Sequence, residues 1–175
     1  MKKNELLKSE NRIVRVLGFR NDEVLVIDCV KVTMPQWIAC AEIESYEVCS
    51  EDELLQVTNR TLLDVEILDA KSKRIMHERY TLIAGILPFV TDEQMRSVAI
   101  NKVAEQGKLG KQSIRHYLCL YLVYQDVSVL VPKQKNQEAP LDQDAKNMRY
   151  ALNRYFYNRN KNSLNTAYIL MLKDK

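Results

Sequence analysis

The apolar positions of this chain change their period part-way along it. Up to residue 57 they come in short runs dense in β-branched side chains. RIVRVLGF (12–19) and EVLVIDCVKV (23–32) are separated by Arg20-Asn21-Asp22, which predicts a hairpin. Trp37-Ile38-Ala39-Cys40 and Tyr46-Glu47-Val48 predict two shorter strands, the first held to an edge or a strand start by Pro35. Residues 51–57 predict a short helical turn leading out. A module of about four such strands is too small to be stable unless it packs on something else.

From about Thr61 the period is helical. Met76, Tyr80, Ile83 and Leu87 mark one face of a helix that Pro88 ends or kinks. Thr91, with Gln94 three residues on, predicts a capping-box start for a second helix whose inward face is Met95, Ala99 and Val103. A turn flanked by Gly107 and Gly110 follows, where a positive φ costs glycine little. Ala104, Leu109 and Ile114 supply the small and apolar residues needed where two helices cross. In the third helix Ile114, Leu118 and Leu122 form the buried stripe, leaving Lys111, Gln112, Arg115 and His116 outward. The arrangement looks like a DNA-binding helix-turn-helix: Arg and Lys match guanine acceptors in the major groove, and Gln matches adenine. The same pattern also describes a plain helical hairpin with a solvated basic face.

Residues 132–140 (PKQKNQEAP) read as a linker or extended arm, in which Lys133 and Lys135 either follow a DNA backbone or simply stay solvated. Beyond it, Leu141, Ala145, Met148, Leu152 and Phe156 recur at helical spacing, residues 158–162 break the pattern, and Ser163 caps a last helix with Leu164, Ala167, Tyr168, Met171 and Leu172 inward. That last apolar face lacks an obvious following partner, so the chain is expected to be a piece of a longer polypeptide. The expected fold class is α+β. It comprises a small N-terminal β module (1–60), a three-helix helix-turn-helix domain (61–131), the linker (132–140) and the start of a second helical subdomain (141–175).

Charge sharpens this picture. The net charge of +3 conceals a division: residues 1–90 carry 12 Lys+Arg against 15 Asp+Glu, and residues 91–175 carry 14 against 8. A basic half that contains the helix-turn-helix is the footprint of a phosphate-binding module. Cys29, Cys40, Cys49 and Cys119 show no CxxC pairing and no nearby histidine cluster, which argues for buried thiols rather than zinc. The N-terminal MKKNELLKSE is charged, and no apolar run approaches the roughly 18 residues of a membrane span. A cytoplasmic protein with no membrane partner is expected.

In order, the β module, KSKRIMHERYTLIAGIL, INKVAEQGKLGKQSIRHYLCLYLVYQDVSVLVPK and LDQDAKNMRYALNRYFYNRNKNSLNTAYILMLKDK resemble the N-terminal region of Mu-like transposases, which belong to the DDE transposases of the retroviral-integrase superfamily. The resemblance runs from about residue 12 to the end and is strongest from Lys71 onward. Its most specific parts are the helix-turn-helix, the exit at Leu130-Val131-Pro132-Lys133, and KNSLNTAY as the start of a second DNA-binding subdomain. It implies recognition of double-stranded DNA at transposon ends by two successive grips, with self-assembly on DNA and a transposition ATPase as partners. By position, Lys111, Gln112, Arg115 and His116 would face bases, and Lys108 and Ser113 phosphate. Lys108 stands where a glycine is common, with Gly107 one residue early. In these proteins catalysis belongs to three carboxylates and magnesium in an RNase H-like domain beyond the DNA-binding region. This chain holds no such domain, so it is expected to be non-catalytic and without a cofactor of its own; Asp28, Asp64 and Asp69 qualify as candidates only by residue type.

Two other readings stay open at this stage. One is a helix-turn-helix transcriptional regulator in which residues 12–57 sense a ligand or dimerise. The other is an interaction adaptor that uses Tyr117, Tyr121, Tyr124, Tyr150, Tyr155 and Tyr157 as a contact surface, although most of these also suit core positions.

Overall fold

The computed structural model describes residues 1–10, 12–107, 109–132, 143–157 and 163–173. They show an α+β fold, a five-stranded antiparallel sheet followed by six α-helices among the described residues. The chain divides into two compact units, Met1–Pro132 and Lys133–Lys175.

The strands of the first unit are β1 (Leu6–Ser9), β2 (Arg12–Arg20), β3 (Glu23–Asp28), β4 (Gln36–Ala39) and β5 (Glu47–Cys49), in the order β4-β3-β2-β1-β5. The expected hairpin is β2–β3. Asn21 takes a left-handed φ of 51° in its turn, and an Arg20–Glu23 ion pair at 2.6 Å closes it. Strand β1 is an addition to the predicted elements. It has only two apolar residues, Leu6 and Leu7, and they bury on opposite faces, so no run stands out against the charged residues around them.

Both sheet faces are covered, which is why β2 and β3 read as nearly continuous apolar runs. Ile13, Leu17, Leu25 and Ile27 face the helices, whereas Val14, Val16, Val24 and Val26 face the other way. On that second face lies Ile43, carried by the connection from β4 at one edge to β5 at the other. The sheet obtains its packing surface mainly from four helices, α1 (Glu51–Val57), α2 (Ala70–Ala84), α3 (Glu93–Gln106) and α4 (Lys111–Tyr124). Residues on both sides of the 60/61 division read from the sequence therefore share a single core.

Helix α1 starts on a Ser50–Glu53 capping box. Helix α2 starts on Asp69, whose carboxylate accepts from Ser72 N–H, and ends at Gly85, so Leu87 belongs to a following 3₁₀ turn rather than to the helix. The cap of α3 is Asp92, not the expected Thr91, with its carboxylate accepting from Met95 N–H at 2.9 Å. Its buried positions are Arg96 and Ile100, whereas Met95 is 45% exposed. Arg96 is buried with its guanidinium donating to the carbonyls of Val90 (2.6 Å) and Pro35 (3.3 Å), tying α3 to the turn before it and to the β3–β4 connection.

Helix α4 is the central helix, packing on α2, α3 and β3. Its far end is fixed by Arg15, which projects from β2 into the core and is 1% exposed. Arg15 Nε donates to Val123 O in the last turn of α4 at 2.6 Å, Nη1 donates to Asn4 O at 2.9 Å, and Nη1 and Nη2 each reach a Glu51 carboxylate oxygen at 2.7 Å. One buried cation thereby joins the sheet, the N-terminal turn, α1 and α4.

In the second unit, α5 (Gln143–Ala151) runs into a π-helical turn at Leu152–Phe156, and α6 (Leu164–Lys173) follows. Ser163 caps α6 as expected, its hydroxyl accepting from Thr166 N–H. The inward faces are narrower than the periodicity implies. Ala151, Ala167 and Met171 are buried, but Met148, Leu164, Tyr168 and Leu172 are 64%, 60%, 54% and 54% exposed. A pair of helices has one mutual interface, and only a thin stripe of each can enter it.

Candidate nucleic-acid interface

The turn between α3 and α4 does not use left-handed glycine. Gly107 is extended (φ −110°, ψ 173°), and Gly110, the N-cap of α4, has φ −69° and ψ 152°. At Gly107 the constraint is space instead, since a Cβ there would lie a tight 3.2 Å from the backbone oxygen of Val103. Ala104 is half-buried at the crossing, Ile114 is fully buried, and Leu109 is 36% exposed.

Along α4 the environment changes in mid-helix. Ile114, Leu118 and Leu122 are buried as the stripe predicts, but Cys119, Leu120, Val123 and Tyr124 are buried too, so in the last two turns only Tyr121 is half-buried. The first two turns are open: Lys111, Gln112 and His116 are exposed, and Ser113 and Arg115 are half-buried. Lys108, Lys133 and Lys135, together with the linker beyond Pro132, lie outside the described residues.

Gln112, Arg115 and His116 do not stand on a flat surface. They line a cavity of about 350 Å³ whose opposite wall is α3, through Glu93, Arg96, Ser97 and Ile100, and whose third side is the β3–β4 connection, through Val32 and Met34. Cys119 lies in the same lining, its Sγ 3.4 Å from Met34 Sδ. Burial pushes that thiol up to about 11 and the Cys29 thiol up to about 12, so both are protonated and unreactive at neutral pH. The groove is thus mixed in charge, with a carboxylate, a hydroxyl and an amide beside two guanidiniums and an imidazole. Such a lining presents donors and acceptors together, as base edges do, whereas phosphate is matched by donors alone.

The β3–β4 wall is held from the sheet. Asp28 Oδ1 accepts from the N–H groups of Val30 (3.1 Å) and Lys31 (2.8 Å), Asp28 Oδ2 accepts from Arg12 Nε (3.2 Å), and Val32 N–H donates to Asp28 O (2.9 Å). This closed turn carries Val32 into the left-handed region at φ 51°, where a β-branched residue is rare. Sequence reasoning missed this wall and the Arg96 anchor. An Asp at a strand end is a turn signal, but nothing in the sequence brings residues near 32 to residues near 115.

The three acids singled out by residue type each do local work. Asp28 caps its own turn, Asp64 accepts from Glu66 N–H at 2.9 Å, and Asp69 caps α2. Among the described residues no three His, Cys, Asp or Glu side chains are grouped to hold a metal ion, and no helix is long and apolar enough to cross a membrane. Of the tyrosines, Tyr124 is buried, Tyr117 and Tyr121 are half-buried with Arg79 lying 4.8 Å over the Tyr117 ring, and Tyr150 and Tyr157 are exposed. Comparison with protein-family models and with curated proteins finds no match to this chain.

Proposed function

We propose that this chain binds double-stranded DNA sequence-specifically at the ends of a mobile element, as the non-catalytic DNA-binding region of a transposase. The observation that carries the reading is the division of α4: its last two turns are locked in the core, and its first two turns present Lys111, Gln112, Arg115 and His116. A recognition helix reads bases with its N-terminal residues, and a helix anchored at its far end presents those residues with little freedom to lose on binding. The basic second half of the sequence supports the same reading through phosphate attraction. The mobile-element assignment rests on the sequence resemblance, as do assembly on DNA and an ATPase partner. The capping duties of Asp28, Asp64 and Asp69 fit a region whose acids serve the fold. The regulator reading has less support, because both faces of the sheet it would use for sensing or dimerisation are already covered.

The test is a titration of the chain against labelled duplex taken from the termini of the element that carries its reading frame, beside unrelated duplex of equal length. Tighter binding to the terminal sequence, weakening steeply as salt rises, is expected. Equal affinity for the two duplexes would sink the reading.

A further inference from the structure

We propose that the β3–β4 turn, residues 30–34, is a second DNA-contacting element that lies beside the first turns of α4 and places Lys31 against the phosphate backbone. The inference rests on the DNA-binding reading of α4 and extends the interface into the sheet. Val32 and Met34 from this turn line the same cavity as Gln112, Arg115 and His116, so a duplex lying along those three side chains meets the turn at the rim. Lys31 and Thr33, the sequence neighbours of those two wall residues, are exposed, and Val30 is 46% exposed. A cation one residue from the groove wall matches the polyanion that the groove is inferred to receive.

The turn is built to hold that position. Asp28 is 6% exposed, accepts from the N–H groups of Val30 and Lys31, and is itself held by Arg12. The N–H groups of Val30, Lys31 and Val32 are all bonded to Asp28, so the turn that carries Lys31 is pinned at its base. A loop fixed at its base loses less entropy on contact than a free one.

The experiment measures binding as a function of salt for the whole chain and for Lys31→Ala, on the duplex that the unmodified chain enriches from a random-sequence pool and on an unrelated duplex. Removing one phosphate contact lowers the slope of log affinity against log salt by about one, on both duplexes alike. Arg20→Gln, which removes a cation at the opposite end of the β2–β3 hairpin, is expected to leave the slope unchanged. Melting of each variant confirms that it is folded, which an exposed side chain such as Lys31 permits. An unchanged slope for Lys31→Ala, with sequence selection intact, overturns this inference and leaves the α4 reading standing. An equal fall for Arg20→Gln also overturns it, because the effect is then that of net charge alone. If the unmodified chain enriches no sequence, the α4 reading fails and this inference falls with it.

Discussion

The two halves of α4 are made of one continuous helix and live in different surroundings. Apart from buried Ile114, residues 111–117 are exposed or half-buried beside a cavity; residues 118–124 are buried except for half-buried Tyr121, with Arg15 holding the carbonyl of Val123. The difference shows how a small fold can fix the position of an exposed helix start from the buried end of the same helix. Position is set at the buried end, and the open end exposes the polar side chains that the proposed reading assigns to DNA. Substitutions in the two halves should consequently separate stability from binding.

The largest effect is expected for Leu118→Ala. Leu118 is fully buried where α4 meets the shared core, and truncating such a side chain costs about 2–5 kcal/mol through lost burial and the cavity left behind. Urea unfolding should show the midpoint falling, and DNA affinity should fall only through the loss of folded chain. Next comes Arg15→Met, which fills much of the same volume but leaves Val123 O and Asn4 O without their donor. Orphaned buried acceptors of this kind cost about 1–3 kcal/mol. The exposed Glu51 partner adds little, since its carboxylate returns to water. A midpoint equal to that of the unmodified chain would show that the far end of α4 is held without this anchor.

Arg115→Ala tests the open half. It should weaken binding to the preferred duplex by about 1–3 kcal/mol, relax discrimination at one position, and leave the unfolding midpoint nearly unchanged. Loss of stability without loss of sequence preference would mean that Arg115 serves the cavity wall rather than DNA.

Much of this contrast was legible in the sequence. The stripe of Ile114, Leu118 and Leu122, the basic residues opposite it and the β2–β3 hairpin all followed from local periodicity, because each element buries the face its own pattern marks. What stayed hidden depended on distant pairings. The buried Arg96 shifts the inward face of α3 by one position, and a periodicity that sends charged residues to solvent cannot anticipate a guanidinium satisfied by the Pro35 and Val90 carbonyls. Arg15 was likewise a charged residue in a strand until Glu51 and Val123 were brought to it. The Val32 wall is the same case at the site itself: its left-handed conformation is imposed by Asp28 and Arg12, and its closeness to Arg115 by the packing of helices on the sheet.

The smallest expected effect concerns acid. Asp69 caps α2, and hydrogen bonds from the Ser72 backbone and then its side chain hold the Asp69 carboxyl below the usual aspartate value of 3.8. A carboxylate with a depressed value in the folded state adds stability that is fully present above the unfolded value and is lost as pH falls through the folded one. Acidification below about pH 4 should therefore loosen the start of α2, which braces α4 from the side, before the core is affected. Asp69→Asn keeps an oxygen acceptor for Ser72 N–H but cannot titrate. It should lower the neutral-pH melting midpoint slightly and flatten the decline of that midpoint between neutral and acid conditions. If the variant and the unmodified chain decline in parallel, the acid sensitivity lies with another carboxylate. Glu53 is the first to examine, since the Ser50 backbone, Cys49 and Lys8 together hold it below its own ordinary value.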